Sequence, residues 1–132
     1  MLSFDYAVLR VVPRVEREEF LNAGVVLFCL QRRYLRCAVH LDADRLRSLW
    51  PGADAAVAAN HLRAVERICV GEVAAGPIAK LSQRERFHWM TAPRSTVLQS
   101  SPVRTGVCTE DTDLDRRLSQ LVSDLLLVPA KI

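Results

Sequence analysis

The clearest structural signal in the sequence is an apolar run without a break, from Ala23 to Leu30. A strand with one wet face would alternate polar and apolar residues, so this run predicts a strand covered on both faces. Gln31–Arg33 forms a turn, and Tyr34 to Leu41 returns as the next strand of a hairpin. An earlier strand, Phe4 to Val12, is closed by Pro13. Three consecutive strands with short connections predict an antiparallel meander.

Three segments predict helices between the strands. Val15 to Asn22 is charged and short, enough for one or two helical turns. Asp42 supplies a capping carboxylate for a short helix that ends at Pro51, and Asp54 begins a longer amphipathic helix. His61 lies on the apolar stripe of that longer helix, which predicts a buried imidazole.

The last third of the chain predicts short strands followed by a helix. The strands are expected at Phe87–Thr91, Val97–Gln99 and Val103–Val107. The final helix has Thr112 as its cap and Pro129 near its end. Its apolar positions repeat at helical spacing: Leu114, Leu118, Leu121, Val122 and Leu125.

The length of 132 residues fits one domain spanning residues 1–132, since two domains would leave neither with a proper core. Half of the residues are hydrophobic, which is enough for a filled core. The expected class is α+β: a mainly antiparallel sheet of about four to six strands, packed by two or three helices on one face. The C-terminal amphipathic helix is one of them.

Composition narrows the function classes. The formal net charge of +3 is too mild to favour nucleic acid, for which a strongly basic domain is expected. The first residues show no signal peptide, and no apolar run reaches the roughly 18 residues of a membrane span. The four cysteines lack metal-binding spacing and are expected to be buried and reduced. These observations predict a cytoplasmic protein without a membrane segment.

The most distinctive polar segment is the turn Pro93–Thr96. Proline stiffens the turn, while Arg94, Ser95 and Thr96 place a guanidinium beside two hydroxyls and backbone amides. Such a turn can bind phosphate or carboxylate. The alternative is that the hydroxyls satisfy turn amides and Arg94 pairs with a carboxylate of its own chain. Three further donors are candidates for the same anion site: Arg10, His88 and Arg104.

No catalytic residue, metal ligand or cofactor site is assigned. The glutamates Glu16, Glu18 and Glu19 with Asn22 are interpreted as a solvated face rather than a cation site, because only one or two could point inward together. The histidines lack ligand spacing, no serine lies in a GxSxG elbow, and the glycines form no phosphate-binding loop.

A set of short motifs spans nearly the whole chain. Its members are Tyr6 and Arg10 with Pro13, Glu19 with Asn22 and Gly24, Phe87 with Trp89, and Pro93–Thr96. Together they resemble a bacterial family known as domain of unknown function number 3037. The resemblance implies a stand-alone bacterial protein of this size with no established activity. It also implies a binding partner, a HipA-like kinase homologue.

Two functional hypotheses follow. The first is a non-enzymatic interaction or accessory protein, partner of a HipA-like kinase or of a second copy of itself. The alternative is a small enzyme or binder acting on a phosphorylated ligand or nucleic acid through the arginine, serine and threonine of the turn. A charged concave pocket at the turn would favour the alternative, and a flat apolar surface would favour a partner.

Overall fold

A computed structural model describes residues 1–128 of the chain. Within that part, five strands form one sheet and four α-helices pack on it, so the predicted α+β class is confirmed. The strands are β1 (Leu2–Val11), β2 (Leu21–Cys29), β3 (Tyr34–Val39), β4 (Leu98–Ser100) and β5 (Arg104–Cys108). The α-helices are α1 (Ala43–Leu49), α2 (Ala55–Cys69), α3 (Gln83–Thr91) and α4 (Leu114–Leu125).

The sheet is antiparallel throughout and is built around β1. The order of the strands in the sheet is β3, β2, β1 and β4. Strands β4 and β5 pair with the same edge of β1: β4 with Leu9–Val11 and β5 with Leu2–Tyr6. The predicted meander of β1, β2 and β3 is therefore confirmed. One bulge interrupts the β1–β2 register: Leu9 faces Gly24 while Arg10 faces Asn22, which leaves Ala23 as the extra residue.

Helices cover both faces of the sheet. On one face Val26 and Phe28 of β2 pack against α2 and α3, and on the other face Val25 and Leu27 pack against α4. The expectation that all helices lie on one face was wrong. The uninterrupted apolar run of β2 already required a cover on each side, because successive side chains of a strand point to opposite faces.

The predicted strand at Phe87–Thr91 is a helix instead. Ser82 caps α3: its Oγ accepts a hydrogen bond from the Glu85 amide at 3.2 Å and donates to the Glu85 carboxylate at 2.9 Å. This reciprocal capping pair fixes the helix start. The aromatic residues favoured a strand, but Phe87 and Met90, three residues apart, both face the core. Phe87 stacks on Phe28 of β2 at 5.1 Å between ring centroids.

Three smaller predictions were wrong, and a fourth concerns a residue outside the described part of the chain. The segment expected to be helical from Val15 makes only a 3₁₀ turn, Val15–Arg17, because Glu18 adopts a left-handed conformation with φ 56° and β2 begins three residues later. His61 is exposed rather than buried. The cap of α4 is Asp113, one residue after Thr112. Pro129 lies outside the described residues.

Candidate functional site

Arg94 is held by a tryptophan rather than by a carboxylate. Its guanidinium lies 4.1 Å from the centroid of the Trp89 ring and donates a hydrogen bond to the Trp89 carbonyl. Within residues 1–128, no acidic side chain forms an ion pair with it. The turn after α3 is thus fixed by stacking and by a main-chain contact, and the alternative, in which Arg94 pairs with an acid of its own chain, is not observed in this part of the chain.

The rest of the turn contributes to an apolar groove. Thr96 donates its hydroxyl to the Leu98 carbonyl at 2.8 Å, and Ser95 is exposed. The groove, of about 450 Å³, is formed where the turn faces α2. Its lining residues are His61, Ala64, Val65, Ile68, Trp89, Arg94, Thr96, Val97 and Leu98. The walls are largely aliphatic and aromatic, so this groove lacks the polar lining expected of a phosphate site.

The other three residues predicted for the anion site lie elsewhere. Arg10 is on the α4 face of the sheet, where its guanidinium lies 4.0 Å from the centroid of the Phe20 ring. Arg104 lies on β5, opposite Tyr6 of β1. His88 lines a separate cleft, together with Asp5. The structure therefore brings only Arg94, Ser95 and Thr96 together, and the binding role of all six residues stays a prediction.

A more strongly basic cleft, of about 510 Å³, lies where β3 meets the ends of α2 and α3. We call it the arginine cleft. Three of its nine lining residues are arginines, and the neighbouring side chains are mostly small or polar. The lining residues are Arg33, Tyr34, Leu35, Arg36, Cys37, Cys69, Val70, Gln83 and Arg86.

Arg86 is the most unusual side chain of the arginine cleft. One of its terminal nitrogens, Nη1, donates to the Leu81 carbonyl at 2.6 Å. Its Nε is buried and has no hydrogen-bond partner within residues 1–128. A buried donor without a partner costs free energy, so such a group calls for a bound water or a ligand. Gly71 makes room for this side chain, because a β-carbon there would lie 3.3 Å from Nη1.

The other two arginines are less constrained. Arg36 is exposed and lies 3.6 Å from the Asp115 carboxylate, which also accepts a 2.7 Å hydrogen bond from the Tyr34 hydroxyl. Burial and this bond to Asp115 raise the pKa of Tyr34, so the phenol stays protonated. Arg33 adopts a left-handed conformation with φ 51°, and its carbonyl accepts a hydrogen bond from Gln83 at 3.1 Å.

The two thiols of the arginine cleft are poor nucleophiles. Burial raises the pKa of Cys37 well above its ordinary value and that of Cys69 to about 12. Both thiols are therefore protonated at neutral pH, and the thiolate is the reactive form. Within residues 1–128, no group of three or more His, Cys, Asp or Glu side chains is placed to hold a metal ion. Binding of an anion is the chemistry that this arrangement supports.

Sequence reasoning missed the arginine cleft because its arginines come from distant segments. Arg33 and Arg36 flank the start of β3, whereas Arg86 lies on α3, some fifty residues later. The available signal was the Ser82–Glu85 capping pair, which predicts a helix where aromatic residues suggested a strand. A helix there brings Gln83 and Arg86 to one side, three residues apart.

Comparison with known proteins identifies the family of this chain. Neither the curated proteins nor the solved structures gave a match to this chain. No helix within residues 1–128 combines the length and the apolar character needed to cross a membrane. The model of one family matches residues 6–126, nearly the whole chain and all of the elements that form the arginine cleft. The chain thus belongs to the family described as Protein of unknown function (DUF3037).

Proposed function

We propose that this protein binds an anionic ligand, bearing a carboxylate or a phosphate, in the arginine cleft. The observation that carries the proposal is the buried Nε of Arg86, which has no partner within residues 1–128. It belongs to a cleft that also contains Arg33 and Arg36. The planar guanidinium donates in a fork that matches carboxylate and phosphate oxygens, and such charge-assisted bonds are stronger than neutral ones.

The charge balance of the arginine cleft supports the same proposal. Of its three guanidinium groups, only that of Arg36 lies within 4 Å of a carboxylate in the described part of the chain, and that pair is exposed. An exposed pair is worth little, so Asp115 can release Arg36 at small cost. An incoming anion would meet the Arg86 guanidinium already partly ordered by its hydrogen bond to the Leu81 carbonyl.

Binding rather than catalysis is supported by the neighbouring side chains. The thiols of Cys37 and Cys69 are protonated at neutral pH, and the Tyr34 hydroxyl is committed to Asp115. Nucleophilic catalysis needs an activated nucleophile with a base beside it. The role as a partner of a HipA-like kinase, implied by the family resemblance, stays a separate prediction. Co-purification with the untagged protein from its native host would test it.

The test of anion binding is calorimetric titration of the full chain with inorganic phosphate, pyrophosphate and citrate at constant ionic strength. We expect at least one of the three to bind and Arg86→Ala to weaken that binding tenfold or more. Arg63→Ala removes an exposed arginine of α2 outside the cleft and is the matched control. If Arg86→Ala unfolds, Arg86→Lys keeps the charge and removes the Nε donor. Absence of binding by all three anions would refute the proposal.

A further inference from the structure

The arginine cleft runs along the edge of β3. Four consecutive residues of that strand, Tyr34 to Cys37, line it. Successive side chains of a strand point to opposite faces of the sheet. A cleft that touches four in succession therefore reaches the main chain at the edge of the strand, on the side of the sheet that α2 and α3 cover. That is the position an added strand would occupy.

The same edge carries main-chain groups that have no hydrogen-bond partner within residues 1–128. Strand β3 is the last strand of the sheet on its side, with β2 as its only neighbour within residues 1–128. The His40 amide donates to the Ala23 carbonyl of β2 at 2.8 Å. Because main-chain direction alternates along a strand, the amides and carbonyls of Leu35, Cys37 and Val39 point away from β2. These outward groups form a row that can pair with another chain.

We propose that the ligand of the arginine cleft is an extended acidic segment of a protein partner, which adds to the sheet as a strand beside β3. This inference rests on the proposed function, since it identifies the anion as carboxylates on a peptide. Main-chain hydrogen bonds to the outward groups of β3 would give affinity, and Arg33, Arg36 and Arg86 would select acidic side chains. Strand β3 is six residues long, so about six residues of the partner can pair, over roughly 20 Å.

Charge complementarity favours an acidic partner over a second copy of the chain. Two copies meeting at this edge would bring their Arg33 and Arg36 side chains together, and charged residues at sheet edges oppose such pairing. An acidic segment replaces that repulsion with attraction. Main-chain groups at this edge are also accessible to a neighbour, as the bond from Gln83 to the Arg33 carbonyl already illustrates.

The test begins with a display library of random seven-residue peptides, selected against the full-length protein and, in parallel, against Arg86→Ala. We expect acidic sequences to be enriched on the wild type and not on the variant. The best peptide is then made in three forms: unmodified, N-methylated at alternate residues, and N-methylated at the intervening residues. One methylated form should bind at least tenfold more weakly and the other within twofold, because only alternate amides of an added strand donate to β3.

Protein-side readouts locate the binding site. Amide resonances of Leu35, Cys37 and Val39 should shift on peptide addition, and Arg33→Ala should weaken binding several-fold while Arg63→Ala leaves it unchanged. Circular dichroism confirms that each variant is folded, and Arg86→Lys replaces Arg86→Ala if that variant is not.

Each outcome bears on the inference. Strand addition at β3 would be overturned if both methylated peptides bound with the same affinity. It would also be overturned if the same acidic peptides were enriched on Arg86→Ala as on the wild type. Phosphate or citrate binding that depends on Arg86, with no peptide enriched, would overturn the inference and leave the proposed function standing. Absence of binding by all three anions would refute the proposed function, and with it the inference that rests on it.

Discussion

The ring of Phe4 occupies the space directly above Gly106. An ideal β-carbon at position 106 would lie 2.4 Å from Cζ of Phe4, far inside van der Waals contact. The two residues face each other across β1 and β5, and Phe4 is buried with 3% of its surface exposed. An aromatic ring lying over a glycine covers its main chain and contributes to the pairing of the two strands.

Gly106→Ala is expected to destabilise the protein by about 1–3 kcal/mol, because the ring must leave its place in the core cluster under α4. Urea unfolding measures the change, and Val107→Ala on the exposed face of β5 is the control. The double variant Phe4→Leu with Gly106→Ala should lose less stability than the two single changes added together. Additive losses would show that the ring does not limit position 106.

Ser82→Ala should cost about 1 kcal/mol, since it removes the cap of α3 and both contacts with Glu85. The loss should fall on α3, so amide exchange of Gln83 to Thr91 should accelerate more than that of α2. Ser119→Ala, at an exposed position of α4, is the control and should have little effect. Uniform acceleration across the chain would contradict a local cap.

Gly71→Ala is expected to lower both stability and anion binding. Gly71 has φ +75°, a conformation that costs an alanine roughly 1–2 kcal/mol, and its new methyl group would press on Arg86. Gly76→Ala is the matched control, because Gly76 also has a positive φ, of +103°, but has no neighbour within 4 Å. Both variants should lose stability in urea, whereas only Gly71→Ala should weaken phosphate or citrate binding in titration.

The stability of the protein should fall as the pH rises above about 8.5, and Cys69 should account for part of the fall. Burial raises the pKa of Cys69 to about 12 in the folded chain, whereas an unfolded thiol ionises near 8.5. The raised pKa contributes stability that is fully present below pH 8.5 and is lost as the pH rises towards 12. The free energy of unfolding, measured in urea from pH 7 to 11, should decline less steeply for Cys69→Ala than for the wild type.

Arg94→Ala separates the site predicted from the sequence from the arginine cleft. It removes the stacking on Trp89 and the hydrogen bond to the Trp89 carbonyl, so a stability loss of about 1 kcal/mol is expected. Anion binding should stay within twofold of the wild type. The reverse result, with binding lost in Arg94→Ala and kept in Arg86→Ala, would return the anion site to the turn Pro93–Thr96.

The failures of sequence reasoning have physical causes in particular residues. Phe87 and Trp89 have strand propensity, but Ser82 and Glu85 supply a helix start that outweighs it. His61 falls on a helical stripe with Val57 and Leu62, yet the turn carrying Arg94 and Thr96 leaves a groove there instead of a sealed core. The periodicity of a helix predicts which face a side chain lies on. It contains no information on which segment packs against that face.

Local patterns of apolar residues and short motifs were enough to predict the α+β class, the meander of β1, β2 and β3, the amphipathic C-terminal helix and the family. The grouping of the arginines in one cleft, by contrast, depends on how distant segments pack in the folded chain. Arg33 and Arg86 are brought together by packing of α3 against β2 and β3, through contacts such as the stacking of Phe87 on Phe28. Such contacts join residues far apart in the chain, and no local pattern records them.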